Sequence, residues 1–174
     1  LAQGEPVAEL EETLRKRIAE HPMFAGALKE EKKIYKEIGA LIGEISLYKE
    51  VFEPIPGVGG IIAGRVICAV GDIRRFATPA HLKNYSGYGF FVDGSAQKRK
   101  RGQVSAWNTG LKQAVYLFCD QVNRRKGTKW NDMLLARKAY EQQKFPDATK
   151  GHIQKKAMRY VGQKFLEHIW RKWR

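Results

Sequence analysis

One stretch of this chain combines residue types that can act on a phosphate ester. Residues 84–103 read Asn-Tyr-Ser-Gly-Tyr-Gly-Phe-Phe-Val-Asp-Gly-Ser-Ala-Gln-Lys-Arg-Lys-Arg-Gly-Gln. Ser95 stands between Gly94 and Ala96, just ahead of four consecutive cations, Lys98, Arg99, Lys100 and Arg101. A serine hydroxyl in such a place can attack a phosphodiester while the cations stabilise the charge that develops. Aromatics interleaved with glycines, followed by a cationic run, also suit a groove that holds nucleic acid. Each feature has a plainer reading. A serine beside glycine is an ordinary turn residue, Tyr85, Tyr88, Phe90 and Phe91 are equally fit for a core, and a cationic run is often only a solvated loop. No histidine is close in sequence to take the serine proton; His81 and His152 are the nearest on either side.

A second stretch could hold a phosphate without reacting with it. Residues 55–67, Ile-Pro-Gly-Val-Gly-Gly-Ile-Ile-Ala-Gly-Arg-Val-Ile, look like a helix-hairpin-helix element. Glycines at Gly57, Gly59 and Gly60 permit positive φ and let the backbone approach a phosphate without a Cβ in the way. The helix that follows points its unpaired N–H groups and positive dipole end at the anion. Val58 would plug the hairpin into the core, Ala63 would let two helices pack closely, and Arg65 would add a charge-assisted contact. The competing reading is a tight corner between helices with no ligand. An element of this kind grips backbone and reads little sequence.

Metal and redox chemistry find little support. His21, His81, His152 and His168 lack ligand spacing with one another or with Cys68 and Cys119, which form no CxxC pair. Asp72, Asp93, Asp120, Asp132 and Asp147 are scattered, so no two-metal cluster is expected. We expect no cofactor bound by this chain and no self-sufficient metal nuclease.

The elements that must position these residues are helical. In residues 6–20, Val7, Leu10, Leu14 and Ile18 recur at helical spacing. His21-Pro22 interrupts, and a longer helix is expected to run to about Phe52. Ile34, Leu41 and Tyr48 are seven apart, as are Ile38, Ile45 and Phe52, which makes an a/d seam. A packed hairpin and a homo-oligomeric coiled coil both fit so short a seam. Further helices are expected at 60–71, from the Thr78-Pro79 cap to about Asn84, and at 104–125, 128–143 and 152–173, with a short extended piece at Phe90–Val92. The fold class is thus mainly α: a helical, coiled-coil-like arm over 1–53 and a compact basic helical domain over 54–174.

Charge divides the chain at the same place. The net charge is +14. Residues 1–53 hold 8 basic and 11 acidic residues, leaving 24 and 7 for the rest, a net of +17. Such asymmetry points to a polyanion, nucleic acid above a membrane surface or an acidic protein. Apolar runs are too short to cross a bilayer and no signal peptide opens the chain, so a cytoplasmic protein is expected. The start at Leu1 suggests a piece of a longer protein.

Several segments together carry a resemblance. Ile55-Pro-Gly-Val-Gly59, Ala69-Val-Gly-Asp-Ile-Arg-Arg-Phe76 and Leu82-Lys-Asn-Tyr-Ser-Gly87 are followed by Arg101-Gly102 and Trp107-Asn-Thr-Gly-Leu-Lys112. Lys150-Gly-His-Ile-Gln-Lys-Lys-Ala-Met-Arg159, which contains Lys155 and Lys156, and Phe165-Leu-Glu-His-Ile-Trp170 complete the series. Over about residues 30–172 the chain resembles the C-terminal half of the insertion-sequence one-ten transposases, relatives of the pilin-gene DNA invertases. The resemblance implies a serine nucleophile here, with Ser95 at the matching position and Ser86 and Ser105 as rivals. Phe90 stands where the family has proline, Gly-Ser-Ala replaces Ser-Gly, and Trp107-Asn108 replaces a Lys-x-Gly-Asn pattern. It also implies DNA as partner, a structured guide RNA, a homo-oligomer, and a RuvC-like domain holding divalent metal, Mg, that this chain lacks; the chain alone would then bind but not cut. The nucleic-acid contacts expected are Gly57, Val58, Gly59, Gly60, Arg65, Lys98, Arg99, Lys100, Arg101, Lys112, Lys155 and Lys156. The alternative is a non-catalytic helix-hairpin-helix module for DNA or RNA.

Overall fold

The computed structural model describes residues 5–91, 94–98 and 101–174. Arg99, Lys100 and Val92 lie outside the described residues. The elements are all helical: α1 Glu5–Glu20, α2 Pro22–Glu44, α3 Gly60–Val70, α4 Pro79–Tyr85, α5 Thr109–Arg124, α6 Lys129–Lys144 and α7 Lys150–Trp173. Short helical turns, Tyr48–Phe52 of π type and Ile73–Arg75 of 3₁₀ type, join them. No helix among the described residues is long and apolar enough to cross a membrane.

Local chemistry sets most helix starts. Thr78, Asn108, Thr128 and Thr149 each sit in extended backbone and accept the N–H three residues on, which satisfies one of the four donors that a helix start leaves unpaired. The cap at Asn108 corrects the expected start of α5. Its Oδ1 takes the Leu111 N–H at 2.8 Å, and residues 104–107 stay outside the helix.

The arm also departs from expectation. The helix predicted to reach Phe52 stops at Glu44, with Ile45 extended at φ −78, ψ 124. The chain then turns, and Val51 and Phe52 enter the core. Burying a phenylalanine contributes about 1.5–3 kcal/mol, more than a few residues of unbroken helix would. The break divides the seam. Ile38 lies against Gly64 of α3 and Phe52 is wholly buried, whereas Leu41 is 65% exposed. Gly60 and Gly64 make the α2–α3 crossing close: a Cβ on Gly60 would lie 3.0 Å from the Gly39 Cα, and one on Gly64 3.3 Å from the Ile42 Cδ1.

The core lies among α3, α5 and α7. Leu111, Val115, Phe118 and Val122 of α5 meet Val161, Phe165 and Ile169 of α7, each residue fully or almost fully buried at the three- and four-residue spacing of one helical face. Phe118 and Phe165 stack at 4.1 Å, and Trp130 of α6 meets Phe118 edge-on at 5.2 Å. α6 and α7 run side by side, so the end of α6 and the start of α7 come together.

Candidate nucleic-acid interface

The Ser95 segment is held from below. Ser86, buried at the end of α4, donates from Oγ to the Lys83 carbonyl at 2.8 Å. Gly87 turns the chain with φ +74 over the Trp107 ring. From α7, Gln163 Nε2 donates to the Tyr88 carbonyl at 2.6 Å and Arg159 to that of Gly87 at 3.4 Å. Burial pushes the Tyr88 phenol up and holds the Arg159 guanidinium below its ordinary value. On this base the chain makes a narrow loop. Phe90 and Ala96 form an antiparallel bridge, the Phe91 N–H donates to the Ser95 carbonyl at 2.9 Å, and Gly94 turns at φ +75. Ser95 is exposed, next to the bridged Ala96.

That loop forms one wall of a cleft of about 770 Å³. Phe90, Gly94, Ala96 and Lys98 line it on the loop side, Tyr116 on α5, Arg137, Glu141 and Lys144 on α6, and His152, Lys155, Lys156, Arg159 and Tyr160 on α7. Among the described residues, six lysines and arginines thus face a single carboxylate. Glu141 is almost completely buried and is matched by Arg137 and by Lys156 at 3.5 Å. Arg137 lies 4.6 Å from the rings of both Tyr140 and Tyr160, and Lys156 sits 3.2 Å from the ring of Phe145. Lys98, Lys144 and Lys155 are exposed and have no carboxylate at ion-pair distance among the described residues. Cations beside open aromatic faces can take phosphates and stacked bases together.

The expected site residues fall into several places. Lys98, Lys155 and Lys156 line the cleft. Lys112 lies behind its base, 3.8 Å above the Trp107 ring, with burial and then Arg159 holding its ammonium below the ordinary value. Arg101 does not line the cleft. Ser105 lines a separate depression with Trp107 and Asn108. The hairpin is elsewhere: Gly57 has φ +93 and rests on Gln121 and Arg125, Val58 is a buried plug, and Gly59 precedes α3 with open space where its Cβ would be. Gly60 faces Gly39, and Arg65 is half-buried. Sequence reasoning missed Arg137, Lys144, Arg159, Tyr116 and Tyr160 as site residues. The available signal was the cationic face of α7, where residues 152, 155, 156 and 159 recur three to four apart.

The model of the transposase IS116/IS110/IS902 family matches residues 49–134. That stretch is similar to the family's transposase domain. No curated protein and no solved structure matches the chain. The matched stretch holds the hairpin, the Ser95 loop, α5 and the start of α6, while the cationic face of α7 that closes the cleft follows it in sequence. Among the described residues no three His, Cys, Asp or Glu side chains come together as a metal site, so nothing described in this chain fits the divalent metal that the resemblance implies for a separate domain.

Proposed function

We propose that this chain is the DNA-handling C-terminal part of a transposase, that its cleft holds a DNA strand, and that Ser95 attacks a phosphodiester there. The observation that carries the reading is that a stretch matching the transposase family meets a cleft of six cations and open aromatics, one wall of which holds Gly94 and Ala96 on either side of Ser95. In the reaction the Ser95 Oγ–P bond forms and one P–O bond to deoxyribose breaks. The leaving oxygen takes up a proton as the strand end is freed. The serine proton passes to a base, a role we assign to His152, which lines the cleft that Gly94 and Ala96, the neighbours of Ser95, also line. The link is reversed when a second deoxyribose hydroxyl attacks the phosphoserine. The RuvC-like domain with its Mg, a structured guide RNA and association through the outward strip of α2, which includes Leu41, belong to this proposal as further parts of the working assembly.

Binding is tested on the exposed cations that have no counter-charge. Replacing Lys98, Lys144 and Lys155 together by glutamine should weaken single-stranded DNA binding by about thirtyfold near 0.1 M salt. The slope of log K against log salt should become shallower by about 2, since each released counterion contributes about 0.7 on a single strand. Fluorescence anisotropy over a salt series reads both. An unchanged slope places the strand outside the cleft.

The hairpin has its own test. Gly59 lies at the start of α3 with φ −90, ψ 174 and no side-chain cap, so Gly59→Asp adds a carboxylate that caps free N–H groups and stabilises the helix by about 0.5–1 kcal/mol. If the hairpin grips a phosphate, the same carboxylate repels it. The expected result is a melting temperature that holds or rises while DNA affinity falls about tenfold. Undiminished affinity makes the hairpin a structural corner only. Gly57 is a poorer probe, because a side chain at φ +93 would strain the turn itself.

A further inference from the structure

The α6–α7 pair carries a second cationic depression at its other end. Here the first turn of α6 and the last turns of α7 meet the Pro54-Ile55-Pro56 hairpin around a space of about 550 Å³. Lys129, Arg171 and Lys172 stand on its rim, all exposed, and among the described residues none of the three has a carboxylate at ion-pair distance. Lys164, also on the rim, is matched by Glu167 at 3.0 Å, and Glu167 is matched again by Lys83 at 2.8 Å. The three unmatched cations converge on His168, whose ring meets Trp130 edge-on at 5.8 Å. Burial, then Lys172, Lys129 and Arg171, hold its imidazole below the ordinary value.

Three like charges gathered from two helices repel one another unless an anion lies between them. Among the described residues the opposing acid at this rim is Glu50 alone, Glu167 being doubly engaged. The position of the cluster indicates the size of the anion. Arg171 lies fifteen residues beyond Lys156 on the unbroken α7, about 22 Å along the axis at about 1.5 Å per residue. That distance is about six to seven base pairs of duplex DNA at about 3.4 Å per step. A small anion would fill one depression, whereas a duplex laid along α6 and α7 meets both.

We propose that this depression is a second backbone clamp for duplex DNA, with Lys129, Arg171 and Lys172 on phosphates about six to seven base pairs from those met by Lys156 in the first cleft. The proposal rests on the reading of the Ser95 cleft as a DNA site, and the test separates the two. The full chain and its Lys129→Gln/Arg171→Gln/Lys172→Gln variant are compared by anisotropy on a 20-base-pair DNA duplex, a duplex RNA of the same length and a six-nucleotide single strand, over a salt series. The expected result is a loss of about tenfold to a hundredfold on duplex DNA, a salt slope shallower by about 2 to 3, and less than twofold change on the short strand. All three positions are exposed, so the melting temperature should be unchanged or higher, and a drop would call for the same comparison with charge-keeping Lys/Arg exchanges, which should restore binding. An unchanged duplex slope overturns the clamp. So does an equal loss on the short strand, which would mark a general charge effect, and a loss larger on RNA than on DNA would overturn the assignment to DNA. A native chain that binds the duplex but not the short strand would instead sink the cleft reading and leave the clamp standing.

Discussion

Ser95→Ala in the transposition-competent protein should leave DNA affinity within about twofold, abolish the covalent DNA–protein adduct and lower strand exchange by more than about a thousandfold. The asymmetry between binding and chemistry follows from what the residue holds. The loop is closed by backbone groups, the Phe91 N–H on the Ser95 carbonyl and the Gly94 N–H on the Phe91 carbonyl, both at 2.9 Å. It is fastened to α7 through the carbonyls of Gly87 and Tyr88. Alanine keeps every one of these bonds. The cleft cations that would hold phosphate belong to other residues and are untouched. The substitution removes the oxygen that would join to phosphorus, and a step that depends on that bond has no substitute. Adduct trapping by denaturing gel, beside anisotropy on the same preparations, gives both readouts. Exchange retained above about a tenth of the native rate would reject the assignment. Ser105, half-buried on its own depression, would then be next to test. Ser86 is a weak successor, being buried with its hydroxyl given to a backbone carbonyl at the end of α4.

How far these features could be read in advance depended on the range of the forces behind them. Caps are local: Thr78-Pro79 announces α4 within four residues, and the Pro-Gly-Val-Gly turn before α3 carries its own glycine signal. The break at Ile45 is not local. Ile45 continues the heptad, and nothing within a turn of it reveals that Phe52 will be claimed by a core built from residues more than about a hundred positions away. The start of α5 was misplaced for a similar reason. Residues 104–107 have no strong helix breaker, and Asn108 is fixed as a cap partly by Tyr85, whose hydroxyl accepts its amide at 2.9 Å and whose carbonyl accepts its N–H at 2.8 Å. The cleft was half legible. Its loop wall showed in the run of glycine, aromatic and cation, but Arg137, Glu141 and Lys144 look like a solvated helix face at four- and three-residue spacing. Only the packing of α6 on α7 buries Glu141 and sets its two cations beside Tyr160 and Phe145. A charge pattern gives the sign of a surface and leaves its address to the tertiary fold.

The largest effect on stability is expected at a residue with no side chain. Gly162 faces the buried Tyr88 ring so closely that a Cβ there would stand 2.4 Å from Cε1 and 2.8 Å from Cδ1, with the Val115 Cγ1 at 2.9 Å. Neither neighbour can yield easily. Tyr88 is pinned at its carbonyl by Gln163, and Val115 is wholly buried on α5. Overpacking of this kind typically costs about 1–3 kcal/mol, and three contacts inside 3 Å place Gly162→Ala near the top of that range, about a hundredfold in the folding equilibrium. Gly162→Ala should therefore lower the urea midpoint clearly, with an unchanged slope if the native state stays compact. A second consequence separates this from a general loss of stability. Relief of the clash moves Tyr88 outward and with it the base of the Ser95 loop, so at temperatures where the variant is still folded, strand exchange should fall while duplex binding through the rest of the surface persists. Tyr88→Leu removes the ring that a Cβ would strike, and the double variant should recover part of the stability that Gly162→Ala loses. Strict additivity of the two substitutions would show that the contact is not the cause, since residues in direct contact couple by about 0.5–3 kcal/mol. Coupling in stability, together with an exchange defect that the double variant retains because the loop has lost its anchor ring, would tie the packing of α7 to the presentation of Ser95.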